Sequence, residues 1–382
     1  MDLAWNETQQ MLKSSARSLL AKECPLSMVL AMEKDEKGYS PQVWRRMAEA
    51  GWLGLAFPEK YGGAGGNFLD LAALLEEMGR MLTPSPFFST VVVGGLAVLA
   101  SGSEAQKAEL LPKIAQGQLF MTLATLESTD DYWYTYLNSR ANRDGNGFVL
   151  NGAKYFVPDA YVTDYFLVSA LTSDTGPDPW EKNRGISVFL VPRSAPGVKV
   201  TPHHTFSGDR LGRVEFDGVK ASRDWILGEV DRGWKIVMET LDRGAAGKSV
   251  EMAGGAQAVL EMTLDYLKRR VQFGRPVATF QALQHHLANM AMDVEGCQSM
   301  AYQAAWRVAQ GELWSSDISM AKMWCNEAYN RICALAHQCH GGMGFTWEYD
   351  LQLYTRRAKV QEQAFGDAAY HRTMLSQALS GL

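Results

Sequence analysis

Between Phe120 and Glu229 the chain is written in short β-branched and aromatic segments, punctuated by Gly, Pro, Asp and Asn. MTLATLE, GFVLNGAKYFV, DYFLVSALT, GISVFLVP and GVKVTPH read as strands. DGNGFVLNG reads as a tight hairpin, and GRVEFDGVKASRDWILGE carries the strand-rich region to about Glu229. On either side the apolar residues recur at helical spacing instead. A strand block enclosed by two helical blocks admits few folds. It predicts an α+β protein with an N-terminal helical domain over 1–118, a middle β domain of barrel or sandwich type over 119–230, and a C-terminal helical bundle over 231–382.

In the first block Met11, Ala16, Leu19 and Leu20 form one apolar stripe, and Val43, Met47 and Leu53–Leu55 form another. The Gly/Pro-rich stretch from Gly51 to Gly66 reads as a long loop. Leu71 to Leu82 reads as an amphipathic helix, and Ser101 as the cap of one running from Ser103 into Leu111, with Glu104 in its first turn. After Gly233 the spacing predicts longer helices: Trp234–Leu241, Val250–Val271, Phe280–Gln310, Ile318–Cys339 and Tyr354–Ala378, a set suited to an up-and-down bundle.

One joint in the bundle concentrates chemistry. Leu260, Leu264, Leu267 and Val271 carry a helix into Arg269-Arg270, where Gly274 and Pro276 stop it. A second helix restarts near Phe280 and is expected to bury Leu283, Leu287 and Met290. Two guanidiniums, the amides of Gln272 and Gln281 and the Phe273 ring therefore crowd one turn, and arginine forks beside an open glycine turn suit a phosphate or pyrophosphate. Solvated arginines on a surface joint would produce the same pattern.

The net charge of −5 gives no reason to expect nucleic acid as a partner. The opening MDLAWNETQQMLKSS lacks the basic and apolar regions of a signal peptide, and no apolar run reaches membrane-span length, so a cytoplasmic protein is expected. The cysteines at 24, 297, 325, 333 and 339 lack metal spacing, and their odd number argues against a disulfide framework. His285-His286 would point its rings about 100° apart on a helix, a poor metal geometry. His203-His204, His340 and His371 likewise give no reason to expect a metal.

Five stretches in order resemble the acyl-CoA dehydrogenase family: GWLGLAFPEKYGGAGG, DGNGFVLNGAKYFV, VEFDGVKASRDWILGE, RRVQFGRPVATFQALQHHLANM, and QCHGGMGF followed by WEYDLQLYTRRAK. The resemblance spans about 350 residues of the chain. It implies FAD, a homo- or heterotetramer built from dimers, α,β-dehydrogenation of an acyl-CoA thioester, and an electron-transfer flavoprotein as acceptor. It also implies that each FAD is shared across a dimer. Arg270, Gln272, Phe273, Gln281, Gln338, Gly341 and Gly342 match the positions that reach the cofactor of the neighbouring subunit, and Phe156 matches a ring-facing position in the β domain. Asp242 matches a position that contacts the CoA portion, and Arg243 beside it suits a CoA phosphate.

The departures are as informative. Where the family carries its glutamate base in a Tyr-Glu-Gly-Thr run, this chain has Ala364-Phe365-Gly366-Asp367, and the alternative base position on the earlier long helix matches Gly244. The threonine of the Val-Thr-Glu strand matches Leu126, the run STDDYWYTY replaces a glycine-serine segment, and Phe156-Val157-Pro158 stands where Trp-Ile-Thr/Ser is usual. Pro158 offers neither a hydroxyl nor an N–H. Positions serving the chain's own flavin ring and base are altered, whereas those serving a neighbour's FAD are kept. The expectation is a subunit without the usual base that completes a partner's FAD site. The alternatives are a catalytic chain with a displaced base such as Asp367 (Asp242 and Glu251 flank the second base position), an oxidase or flavin monooxygenase of the same fold, and a flavin-free structural subunit.

Overall fold

The computed structural model describes residues 5–127, 137–173, 185–314 and 316–380. Helices occupy both ends of the chain and a sheet lies between them in sequence, as expected. The N-terminal helices are α1 (Glu7–Glu23), α2 (Leu26–Met32), α3 (Pro41–Glu49), α4 (Phe68–Arg80), α5 (Leu96–Ser101) and α6 (Glu104–Ala115). The strands are β1 (Met121–Ala124), β2 (Arg140–Asp144), β3 (Gly147–Pro158), β4 (Tyr165–Leu171), β5 (Ile186–Pro192), β6 (Val198–His203), β7 (Leu211–Ala221) and β8 (Ile226–Leu227). Then come α7 (Gly233–Arg269), the two-residue strands β9 (Val271–Gln272) and β10 (Arg275–Pro276), α8 (Gln281–Ala309), α9 (Ser316–His340), α10 (Leu351–Gln363) and α11 (Ala368–Ser380). The chain divides into two compact units: residues 1–31, 68–83 and 245–382, and residues 32–67 and 84–244.

The second unit is built on one sheet in the order β6-β7-β3-β2-β4-β5-β8, with β1 pairing β4 in parallel. DGNG makes the expected hairpin: Asp144 pairs Gly147 across a two-residue turn, and Gly145 takes φ +56°. Phe148, Phe166, Phe189, Val191, Val214 and Phe216 fill the β core. Helix α6 is capped by Ser103, not Ser101. Its side chain accepts from the N–H of Gln106, whose amide returns the bond, and Ser101 instead closes α5.

Two expectations about helix length are corrected. Trp234–Leu241 and Val250–Val271 are one helix of 37 residues. Interior glycines cost about 1 kcal/mol each in a helix, and two of them are there because neighbours press on them. A Cβ at Gly254 would lie 2.0 Å from the Glu76 carbonyl oxygen of α4, and one at Gly255 would lie 2.4 Å from Tyr329 Oη of α9. Conversely, Tyr354–Ala378 is two helices, because Phe365 (φ +59°) and Gly366 (φ +100°) are left-handed and break it. Met11, expected in the apolar stripe of α1, is 68% exposed, while Ala16 and Leu20 are buried. Of Leu283, Leu287 and Met290 only Met290 is fully buried. All five cysteines are buried free thiols.

Candidate functional site

The arginine joint folds as a ribbon that the sequence did not disclose. Helix α7 stops at Arg269, and the N–H of Arg270 donates to the Tyr266 carbonyl at 2.9 Å. β9 then pairs antiparallel with β10, Gln272 opposite Arg275. The two turn residues, Phe273 and Gly274, both hold positive φ, +54° and +76°, the pair of values a type I′ turn requires. Glycine does this freely, but phenylalanine meets a steric penalty there. Phe273 is nonetheless 91% exposed, its ring edge-on to Phe280 at 6.1 Å. The Arg275 guanidinium lies 4.3 Å over the Phe280 ring, a cation–π contact on the same turn. Arg270, Gln272 and Gln281 are exposed.

The second half of the site lies where α9 ends. Gln338 is exposed in the last turn, and the helix gives way to a 3-10 turn over Gly341–Phe345. Gly341 has φ +59°, and a Cβ added at Gly341 or Gly342 would meet nothing within 4 Å. Among the described residues no packing therefore excludes a side chain at Gly342, and the turn is open to close approach. Phe345 (75%) and Trp347 (69%) stand exposed beside it. Among the described residues the side chains of Arg270, Gln281 and Gln338 have no partner in the chain.

One contact brings the halves together. The Tyr266 ring, a turn before Arg270, stacks on His340, the residue before Gly341. His340 Nδ1 faces the Ala336 carbonyl at 2.7 Å and so carries the proton, leaving Nε2 to accept from Tyr349 Oη at 3.0 Å. Burial lowers the His340 pKa, which keeps the ring neutral in that role. Solitary in the sequence, His340 is the post between the two turns.

At the first base position Phe365 is half-buried in the loop between α10 and α11. Asp367 caps α11: its Oδ1 accepts from the Tyr370 N–H at 2.7 Å. At the second position Gly244 is buried within α7. Asp242 and Arg243 are half-buried on the same helix, and Arg243 pairs with Glu239 at 3.4 Å. Glu251 is held by Lys248 and by the Gln361 amide at 3.2 Å.

In the β domain, β3 advances three residues from Lys154 to Val157 while β7 moves two, a bulge. That extra residue turns Phe156 outward, 40% exposed at φ +51°, with its ring 5.6 Å from that of His203. Two residues earlier Lys154 points inward, wholly buried, and pairs with Glu127, whose carboxylate also accepts from the Ser139 N–H at 3.0 Å. The STDDYWYTY run, 128–136, lies outside the described residues.

Sequence reasoning misses the parts that Lys154, Lys322 and His371 play. A signal for Lys322 existed: with Ile318, Ala321, Cys325 and Tyr329 it falls on the buried stripe of α9, a lysine at a core position. Among the described residues no cluster of metal-ligating side chains occurs, and no helix is long and apolar enough to cross a membrane.

Comparison with known proteins matches three family descriptions along the chain: acyl-CoA dehydrogenase N-terminal domain over residues 6–118, middle domain over 129–219, and C-terminal domain over 231–380. A probable acyl-CoA dehydrogenase of Bacillus subtilis, YngJ, is 30% identical over 99% of this chain and all of its own length. Among solved structures, a variant of the steroid acyl-CoA dehydrogenase Tcur3481–Tcur3483 aligns with a TM-score of 0.87 and 32% identity over 98% of both chains. The ChsE4–ChsE5 complex of Mycobacterium tuberculosis aligns with a TM-score of 0.90 and 28% identity over the full length of both.

Proposed function

Because the chain belongs to the acyl-CoA dehydrogenase family, we propose that it serves as the base-less subunit of a two-component acyl-CoA dehydrogenase and completes the FAD site of its partner. The observation that carries the reading is the exposed pair of turns. Arg270, Gln272, Phe273, Gln281, Gln338, Gly341 and Gly342 all face out of the chain that carries them, joined by the Tyr266–His340 post. Their chemistry fits a dinucleotide: a guanidinium fork for the pyrophosphate, amides as donors, an aromatic face, and two glycines with open space where side chains would be. Similarity to two solved structures, each named for a pair of chains, adds support.

FAD, when bound, supplies the acceptor for a hydride from the β-carbon of an acyl-CoA thioester. The α-proton needs a base, and neither Phe365 nor Gly244 can take one. Asp367 is occupied as a helix cap, which argues against its being a displaced base. Proton removal therefore falls to the partner subunit, while Asp242 and Arg243 are assigned to the CoA portion of a thioester and Phe156 to a ring-facing position. The expected assembly is a tetramer with a second acyl-CoA dehydrogenase chain, located in the cytoplasm and delivering electrons to an electron-transfer flavoprotein.

Purification with and without a co-expressed partner dehydrogenase tests this. The lone chain should carry little FAD, the complex should retain it, and Arg270→Ala on this chain should lower the FAD content of the complex. A lone chain that holds one FAD and is bleached by acyl-CoA overturns the reading.

A further inference from the structure

The loop between α10 and α11 is fixed far more tightly than its sequence, Ala364-Phe365-Gly366-Asp367, requires. Lys322, on α9, is completely buried, and its Nζ meets four acceptors. These are Asn326 Oδ1 at 2.5 Å and the carbonyl oxygens of Gln361 at 3.0 Å, Glu362 at 3.3 Å and Gly366 at 3.1 Å. Among the described residues, four acceptors and no donor surround this nitrogen, the setting of an ammonium, since a neutral amine would turn its lone pair on an oxygen. Two of those carbonyls belong to the C-terminal turn of α10, where a cation also complements the helix dipole. Burial nevertheless pushes the Lys322 pKa down to about 7, with Cys325, Glu362 and Asp367 drawing it back up only in part.

Other groups hold the rest of the loop. Asn326 Nδ2 reaches the Gly366 carbonyl at 3.4 Å, and His371 Nε2 bonds the Phe365 carbonyl at 3.0 Å while its Nδ1 meets Ser319 Oγ at 3.2 Å. Asp367 secures the far end by capping α11. Helices α9, α10 and α11 thus each contribute an anchor, and between the anchors Phe365 keeps a left-handed backbone that phenylalanine does not prefer.

We propose that Lys322 is a positioning residue whose ammonium fixes the carbonyls of 361, 362 and 366, making the loop a rigid mount for whatever side chain occupies position 365. The inference rests on the reading of residue 365 as a base position: in this chain the mount carries Phe365 between α10 and α11.

The test is hydrogen–deuterium exchange on the full chain, comparing a peptide over 361–371 with one from the middle of α9. In Lys322→Met, which replaces the buried charge by an apolar side chain of similar length, the 361–371 peptide should exchange at least about tenfold faster while the α9 peptide and the melting temperature hold or improve. Loss of a purely structural contact would instead move both peptides together, and that result overturns the proposal. Asn326→Leu provides the second variant should Lys322→Met fail to fold. It removes one acceptor and the Gly366 contact, and should loosen the same peptide by a smaller factor. Exchange over 361–371 unchanged in the folded variants also overturns it. Exchange is read without flavin, thioester or partner, so the outcome for Lys322 is separate from whether the chain completes another subunit's site.

Discussion

Tyr266 and His340 stack with ring centroids 4.4 Å apart and planes inclined by 26°, tying the end of α7 to the end of α9. The tyrosine hydroxyl also reaches the His340 carbonyl at 3.4 Å, and Tyr349 closes the group from the segment just before α10. The relative placement of the two exposed turns rests on this trio. Tyr266→Ala removes one aromatic partner and a hydrogen bond and should destabilise the chain by about 2–3 kcal/mol in urea unfolding. Its effect on FAD retention in the complex should exceed that of a surface variant of equal stability.

Phe273 sets stability against assembly. Asparagine suits the first position of a type I′ turn and tolerates positive φ, so Phe273→Asn should stabilise the isolated chain by about 1 kcal/mol. The same change removes the exposed ring and should weaken cofactor retention in the complex. Chemical denaturation and flavin absorbance, measured on the same variant, give the two halves of the result.

Tyr329 is fully buried, and among the described residues its hydroxyl has no hydrogen-bond partner where it presses on Gly255. An unmade buried bond costs about 1–3 kcal/mol, so Tyr329→Phe should be neutral or stabilising. Gly255→Ala forces a methyl into the same contact and should cost about 1–3 kcal/mol or more. Thermal melts of the two variants should diverge, with only the Gly255 variant melting clearly lower.

At the base position two residues separate the readings. Asp367→Asn keeps the cap of α11 while removing the carboxylate, so turnover of the complex should be unaffected; its abolition would assign the base to Asp367. Asp367→Ala removes the cap and should cost about 1 kcal/mol. Phe365→Glu places a carboxylate on a loop held by Lys322 and His371, yet with the chain's own flavin-facing positions altered the lone variant should still show no flavin bleaching by acyl-CoA.

His371 makes the fold acid-sensitive. Burial first, and then the Lys322 charge, hold its pKa down to about 3, below the ordinary value of 6.5. The unfolded chain therefore binds a proton that the folded chain refuses, and stability present above pH 6.5 is lost as pH falls from there toward 3. For this residue the slope approaches about 1.4 kcal/mol per pH unit. His371→Gln should flatten the pH dependence of unfolding by about that amount.

What the sequence conveyed best was pattern. The strand segments, the DGNG hairpin and the helix block after Gly233 are legible because alternation and helical period are local signals. Glycine is the least legible. Gly244 and Gly247 fall in the expected gap between two helices, yet α7 runs straight through them, whereas Gly366 sits inside an expected helix and does break it. Gly254 and Gly255, unremarkable in the sequence, mark a close helix crossing. A glycine's meaning depends on what lies opposite its absent side chain, which no single segment states. The ribbon over 271–276 is hidden for a related reason: its turn places phenylalanine where asparagine or glycine would have announced it. The buried ions Lys154 and Lys322 are hidden because their partners are distant in sequence or are backbone carbonyls.

The exposed rings of Phe273, Phe345 and Trp347 also bear on how the lone chain behaves in solution. Large apolar side chains left uncovered on a folded protein mark an interaction surface or an aggregation liability. Copies made in excess of whatever covers those two turns would carry this mark in their native state, with no unfolding needed. Three side chains would thus make the lone chain prone to self-association, which concentration-dependent light scattering would show.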